Sequence, residues 1–224
     1  MPAPISIVIP TLNAAEALLG SLPALMEGLH TGLVRELIVT DGGSTDQTLE
    51  IAEEAGAEIV TGPPSRGGQL LRGCAVAKGE WLLVLHADTV LQEGWSKDVG
   101  EHLPTGNPAA FRLTFQASGF WPAWVAGWAN MRSRVFSLPY GDQGLLVSRR
   151  AYDRAAGYPN QPLMEDVALV RALPRITLLS TRAATSADRY ARAGWVRRGV
   201  RNLWTLTRYF LGADPEQLAQ AYRR

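Results

Sequence analysis

Four short apolar runs, each closed by a polar turn, govern what this chain can fold into. They cover residues 5–10, 37–40, 57–61 and 81–85, and helix-like stretches at residues 14–29, 44–55 and 66–77 separate them. The runs are β-branched and too short for buried helices, so they read as strands. Strands alternating with helices call for parallel pairing through right-handed crossovers, an α/β layer. Asn13 is placed as the N-cap of the first helix and Asp46 as a cap of the second. With 224 residues, 46% of them hydrophobic and 19% charged, the chain can bury the core of one large domain. A formal net charge of +1 gives no global attraction to nucleic acid. The single cysteine, Cys74, rules out an intramolecular disulfide and fits a reducing compartment. The sequence shows neither a basic, apolar leader nor an apolar run long enough to span a membrane, so a cytoplasmic location is expected.

Beyond residue 105 the alternation loosens. Strands are predicted at residues 110–115, 145–148 and 176–179, and helices at 121–136, 165–173, 192–211 and 215–222. No linker divides the chain, so residues 1–224 read as one domain: a βα half (1–105), a second half (106–190) and C-terminal helices (191–224). The tail is locally basic, with Arg182, Arg189, Arg192, Arg197, Arg198, Arg201, Arg208, Arg223 and Arg224 against Asp188, Asp214 and Glu216. Trp121, Trp124, Val125 and Trp128 fall at helical spacing, and Trp195, Leu203, Leu206 and Phe210 lie among the arginines of the 192–211 helix. Two readings stay open for these faces: packing into the core or a homodimer contact, or meeting an acceptor or an anionic membrane surface.

Ligands of open α/β sheets bind beyond the carboxyl ends of the strands. The residues there are Pro10-Thr11-Leu12-Asn13, Asp41-Gly42-Gly43-Ser44 and His86-Ala87-Asp88. Asp41 can accept hydrogen bonds from a base or from sugar hydroxyls, or can organise its own turn. His86 and Asp88, two apart on extended chain, point the same way; Asp88 offers a hard oxygen to Mg²⁺ or Mn²⁺, and His86 is either a ligand or a packing histidine. Arg66-Gly67-Gly68-Gln69 opens a helix whose amides, with Arg66, can hold phosphate. Glu165-Asp166 are acids at a helix start, and Gly141-Asp142-Gln143-Gly144 is a polar turn or a substrate-facing loop.

The runs Ile5-Ser6-Ile7-Val8-Ile9-Pro10-Thr11-Leu12-Asn13, Ile38-Val39-Thr40-Asp41-Gly42-Gly43-Ser44-Thr45-Asp46, Leu85-His86-Ala87-Asp88-Thr89 and Met164-Glu165-Asp166 together resemble the family 2 glycosyltransferases of GT-A fold. The resemblance covers nearly the whole chain, and its Asp-Gly-Gly-Ser-Thr-Asp and His-Ala-Asp-Thr versions match a bacterial subgroup of small members. It implies a mixed, mostly parallel sheet flanked by helices, a nucleotide-binding half at 1–105 and an acceptor and catalytic half at 106–190. It also implies transfer from a nucleotide-sugar donor to an acceptor hydroxyl with inversion, aided by a divalent metal. Asp41 matches the family's base-contacting acid, while Gly42 replaces the second acid. Asp88 matches the last acid of the metal motif, and His86 replaces the first. Glu165 and Asp166 match the acidic pair, with Asp166 as base. Pro10, Thr11, Asn13, Arg66, Gln69 and Ala87 are assigned to the donor and Asp142, Gln143 and Trp124 to an acceptor side, the acceptor being left open, a lipid-linked one included. No basic motif of processive synthases follows the acidic pair, so single transfer is expected. The rival functions are a nucleotidyltransferase, which would carry a Gly-rich basic loop after the first strand, and a non-catalytic nucleotide-sugar-binding module.

Overall fold

The computed structural model describes residues 3–223, apart from the side chains of residues 189 and 223. Arg189, Arg223 and Arg224 of the basic tail therefore lie outside the described side chains. The strands are β1 (Ile5–Thr11), β2 (Val34–Asp41), β3 (Glu58–Thr61), β4 (Trp81–Val84), β5 (Val90–Leu91), β6 (Ala109–Phe115), β7 (Leu145–Ser148) and β8 (Thr177–Thr185). The helices are α1 (Ala15–His30), α2 (Thr48–Glu54), α3 (Arg66–Val76), α4 (Trp95–His102), α5 (Phe120–Phe136), α6 (Arg149–Arg154), α7 (Glu165–Ala172), α8 (Asp188–Ala193), α9 (Trp195–Phe210) and α10 (Pro215–Arg223).

One sheet, in the order β3-β2-β1-β4-β7-β6-β8-β5, runs through both halves of the chain. The strands β1 to β4 are parallel, as their alternation with helices predicts. Antiparallel β7 then sits between β4 and β6, and β8 runs parallel to β6. The pleat sends alternate residues to opposite faces. Val8, Leu82, Val84 and Val147 pack with Leu70 and Cys74 of α3 and Val167 and Val170 of α7. Ile5, Ile7, Ile9, Leu83 and Leu146 pack on the other face with Leu18 and Leu25 of α1 and Trp95 of α4. Each such aliphatic side chain, fully buried, stabilises by about 1.5–3 kcal/mol. Burial pushes the Cys74 thiol up to about 12, so it is a core residue and not a nucleophile.

Several local expectations are corrected. Asn13 does not cap α1: the cap position is Ala14, without a side-chain bond, and Asn13 takes a left-handed φ of 48°. Asp46 Oδ1 accepts from the Thr48 N–H at the head of α2 and Asp46 Oδ2 from the Ala15 N–H of α1, but Gln47 holds the cap position. The predicted 192–211 helix is two helices, because Gly194 (φ 80°, ψ 132°) interrupts it. The last strand is longer than its apolar core, and β5, α4 and α6 were not anticipated. In α5 the predicted face divides: Val125 is buried while Trp121, Trp124 and Trp128 are exposed.

Candidate active site

Because β1, β2, β4, β6 and β8 point one way, their carboxyl ends share one edge of the sheet. Reversed β7 brings its preceding turn, Gly141–Gln143, to that same edge. At the β1 and β2 ends the Asp41 carboxylate is buried and takes four hydrogen bonds: from Thr11 Oγ1 (2.9 Å), the Gly43 and Ser44 amides (2.7 Å each) and Ser44 Oγ (2.5 Å). Burial alone would raise its pKa, but the donors from Ser44, Thr11 and Gly43 outweigh it and hold the carboxyl below its ordinary value. A carboxylate has about four acceptor positions, so Asp41 is filled by its own loop. Asn13 ties the same loops together, accepting from Thr45 N–H (2.9 Å) while its own amide donates to Ser44 Oγ (2.8 Å). The strand-end loops are thus held rigid before any ligand arrives.

Beside them lies a pocket of about 810 Å³, part of it open to solvent. Asp88 reaches it from the turn after β4, Asp142 from the turn before β7, Asp166 from the first turn of α7 and Arg66 from the start of α3. His86 also lines it, with its ring against Gly141: a Cβ on Gly141 would lie 2.5 Å from His86 Nε2, so only glycine fits there. Asp166 accepts from Gly141 N–H (2.8 Å) and Val167 N–H (2.7 Å), which leaves acceptor positions toward the pocket. Asp142 Oδ1 is buried without a hydrogen-bond partner among the described residues. Burial pushes Asp142 up to about 6; Arg132 and Arg66 oppose the shift, and Asp166 and Asp88 add to it. Glu165, at 2% exposure, lies behind the pocket, and its Oε2 has no hydrogen-bond partner among the described residues. Burial first, then the charge of Asp166, raises its pKa.

The acids depend on one close contact. Gly67 N–H donates to Gln161 O (3.1 Å), and a Cβ on Gly67 would lie 2.1 Å from Pro159 O. The loop leading into α7 therefore rests directly on the first turn of α3, which sets Arg66 and Asp166 around one cavity. The same contact corrects the phosphate expectation. Gly67 N–H is taken by Gln161 and Gly68 N–H by Ser65 Oγ, so these two amides are not offered to phosphate, while Arg66 lines the pocket.

A family model described as Glycosyl transferase family 2 matches residues 6–151. The chain belongs to that family. This family 2 member is 38% identical over 120 residues to a PGL/p-HBAD biosynthesis glycosyltransferase of Mycobacterium tuberculosis, the match covering 47% of the chain and 45% of that protein. It thus spans about half the length of that relative. An uncharacterized glycosyltransferase of Mycobacterium bovis is 31% identical over 184 residues, covering 73% and 79% respectively. Among solved structures, glucosyl-3-phosphoglycerate synthase from Mycobacterium tuberculosis, in complex with Mg²⁺ and uridine-diphosphate, superposes with a TM-score of 0.57 at 22% identity, covering 82% of this chain and 70% of that one. The fold shared with it is the GT-A fold, a mixed sheet flanked by helices.

In this family 2 fold, five expected site residues meet in the pocket: Arg66, His86, Asp88, Asp142 and Asp166. Pro10, Thr11, Asn13 and Asp41 belong to the neighbouring strand ends. Others serve the scaffold. Gln69 is buried and donates to Thr11 O (2.7 Å) and Thr40 O (2.9 Å), bracing β1 against β2. Gln143 is buried, accepting from Ser133 Oγ (2.6 Å) and donating to Phe111 O (3.1 Å). Ala87 packs in the core, and Trp124 lies exposed outside the pocket lining. Sequence reasoning missed the roof of the pocket, made of Tyr190 (α8), Arg198 and Asn202 (α9) and Tyr222 (α10). Arg198 donates to Tyr222 Oη (2.7 Å), Tyr222 to Asn202 Oδ1 (2.8 Å) and Asn202 to Tyr190 Oη (3.0 Å). Tyr190 stacks on Trp195, and Phe115 at the end of β6 meets both rings edge-on. The hint in the sequence was the locally basic tail, which includes Arg198.

Proposed function

We propose that this chain transfers a sugar from a nucleotide-sugar donor to an acceptor hydroxyl, once per acceptor and with inversion at the anomeric carbon. The observation that carries the reading is the meeting of Asp88 and Asp166, far apart in sequence, in one pocket beside the rigid strand-end loops. Family membership and the uridine-diphosphate bound by a structural neighbour support the donor class. The rigid turns at Thr11, Asn13 and Asp41 border the space for the nucleoside and orient it, with Asp41 shaping its turn from within. Arg66 offers its guanidinium to phosphate oxygens.

Asp166 accepts the proton of the acceptor hydroxyl as that oxygen forms its bond to the anomeric carbon. The bond from that carbon to the donor diphosphate breaks, and its electron pair leaves with the diphosphate. Asp166 is the residue for this role because it faces the pocket, whereas Glu165 lies buried behind it. The donor set fits a divalent cation: Mg²⁺-type sites take one or two carboxylates and complete their shell with substrate phosphates and water, and Asp88 supplies such an oxygen. When bound, Mg²⁺ or Mn²⁺ stabilises charge on the departing diphosphate.

The test is a panel of nucleotide sugars with Mn²⁺ and with chelator, scored for nucleoside diphosphate release. Release that needs the metal and disappears in Asp88→Ala is expected. Pyrophosphate in its place identifies a nucleotidyltransferase, and donor binding without turnover identifies a binding module; either result overturns the reading.

A further inference from the structure

Helices α5 and α9 lie side by side, and each turns apolar residues to solvent. On α5 these are Trp121 (45% exposed), Trp124 (54%) and Trp128 (48%), at spacings of three and four. On α9 they are Val200 (62%), Leu203 (52%) and Trp204 (62%). An exposed apolar face of this kind marks an interaction site. Neither helix contains an aspartate or glutamate, while α5 carries exposed Arg134 and α9 exposed Arg197; Arg132 and Arg198 turn inward, to Leu138 O and Tyr222 Oη. Exposed tryptophans with arginines and no acids are complementary to an anionic bilayer, where indole rings sit at headgroup level.

A second cleft, between α5 and α9, adjoins the pocket, with Arg132 at its lining. Val125, Trp128, Ala129, Leu203 and Leu206 give it apolar walls, and it shares Tyr140, Asp142, Tyr190 and Asn202 with the lining of the pocket. Its inner end is polar, and its outer end is flanked by half-exposed Trp128 and Leu203. Gly199 on α9 lines it, and a Cβ there would meet nothing within 4 Å, so a larger side chain can be placed at this wall. We propose that the α5–α9 face docks on an anionic bilayer and that the cleft takes the apolar chain of a lipid-borne acceptor, whose hydroxyl head thereby reaches the pocket. The identity of the chain's owner as acceptor rests on the transferase reading; docking and chain binding do not.

The first test is co-sedimentation with vesicles of phosphatidylglycerol and phosphatidylcholine, and of phosphatidylcholine alone. It is run at about 0.01 M and about 1 M salt, between which the Debye length falls from about 30 Å to about 3 Å. Binding to the anionic vesicles at low salt and its loss at high salt are expected. Arg134→Gln and Arg197→Gln should each weaken it about fivefold, and Trp124→Ser should weaken it further. No binding at low salt, or a dimer in light scattering that leaves the vesicles unbound, overturns docking and assigns the face to a soluble partner or a second copy. The second test uses cis-parinaric acid, a fluorescent fatty chain. Wild type should bind it, and Gly199→Leu should lose at least tenfold in affinity while keeping vesicle binding and donor hydrolysis. Equal affinity in Gly199→Leu overturns the placement of the chain. Absent donor hydrolysis in wild type, with both binding results intact, would instead count against the transferase reading alone.

Discussion

Gly67→Ala is expected to damage both stability and turnover, although it adds one methyl group and raises helix propensity. Gly67 does not use a left-handed backbone, so space alone decides the outcome. The new Cβ would lie 2.1 Å from Pro159 O and 2.8 Å from both the amide nitrogen and the carbonyl oxygen of Gln161. All three are backbone atoms, and no side-chain rotation relieves the overlap. The loop must retreat by about 1 Å to restore ordinary contact. That stretches the Gly67–Gln161 hydrogen bond, worth about 1 kcal/mol, and adds an overpacking cost of about 1–3 kcal/mol. Ala in place of Gly recovers up to about 1 kcal/mol in a helix. The net loss is therefore about 1–3 kcal/mol. Asp166 follows the same loop, and a misplacement of about 1 Å at a reacting group costs roughly 10²-fold in rate. Urea unfolding beside a nucleoside diphosphate release assay measures both effects. Gly127→Ala, on α5 with open space at its Cβ, is the control and should be stabilising by about 0.5–1 kcal/mol. A Gly67→Ala protein with the wild-type urea midpoint and turnover would refute the claim that this contact seats α7.

Asp166→Asn should keep donor affinity by calorimetry and lose transfer by 10²-fold or more, on the order of a general-base contribution; lost binding would make the residue a structural one. His86→Asp should shift the preference between Mn²⁺ and Mg²⁺, since it exchanges an imidazole for a hard oxygen, and an unchanged metal profile in a titration would leave His86 as packing against Gly141. Asp142, raised from its ordinary value to about 6 chiefly by burial, favours the folded state while protonated, so its contribution is present below about pH 4 and is lost as pH rises through about 6. Asp142→Asn should thus be more stable than wild type near pH 7 by on the order of 2 kcal/mol, with the gain fading below pH 4; an equal difference at both pH values in urea melts would contradict the assignment.

The parallel half of the sheet was legible because its signal is local. Runs such as Ile5 to Ile9 are apolar throughout, and the turns that end them carry Asp41 and Asp88 in view. Antiparallel β7 gave no such signal, since Leu145-Leu146-Val147-Ser148 reads the same in either direction. The short α4 buries two apolar residues, Trp95 and Val99, beside Ser96 and His102, too few apolar positions to set a period, and β8 outruns its apolar core. Among the expected site residues, Asp88 at a strand end lines the pocket, whereas Gln69 and Gln143 are bound into the scaffold, because a polar side chain near a site serves equally as a brace for backbone carbonyls. The roof was not legible, because Tyr190, Arg198, Asn202 and Tyr222 become neighbours only when three helices fold over the end of β6.

The direction of β1 has a practical side. Residue 4 enters the sheet at the end remote from the pocket, whereas Tyr222 of α10 closes over the pocket itself. A surface linkage, reporter dye or carrier protein attached ahead of β1 leaves the cavity and the α5–α9 face clear. The same cargo placed after α10 crowds the Arg198–Tyr222–Asn202 chain. Immobilised assays and capture experiments with this chain are accordingly best tethered through the leading end.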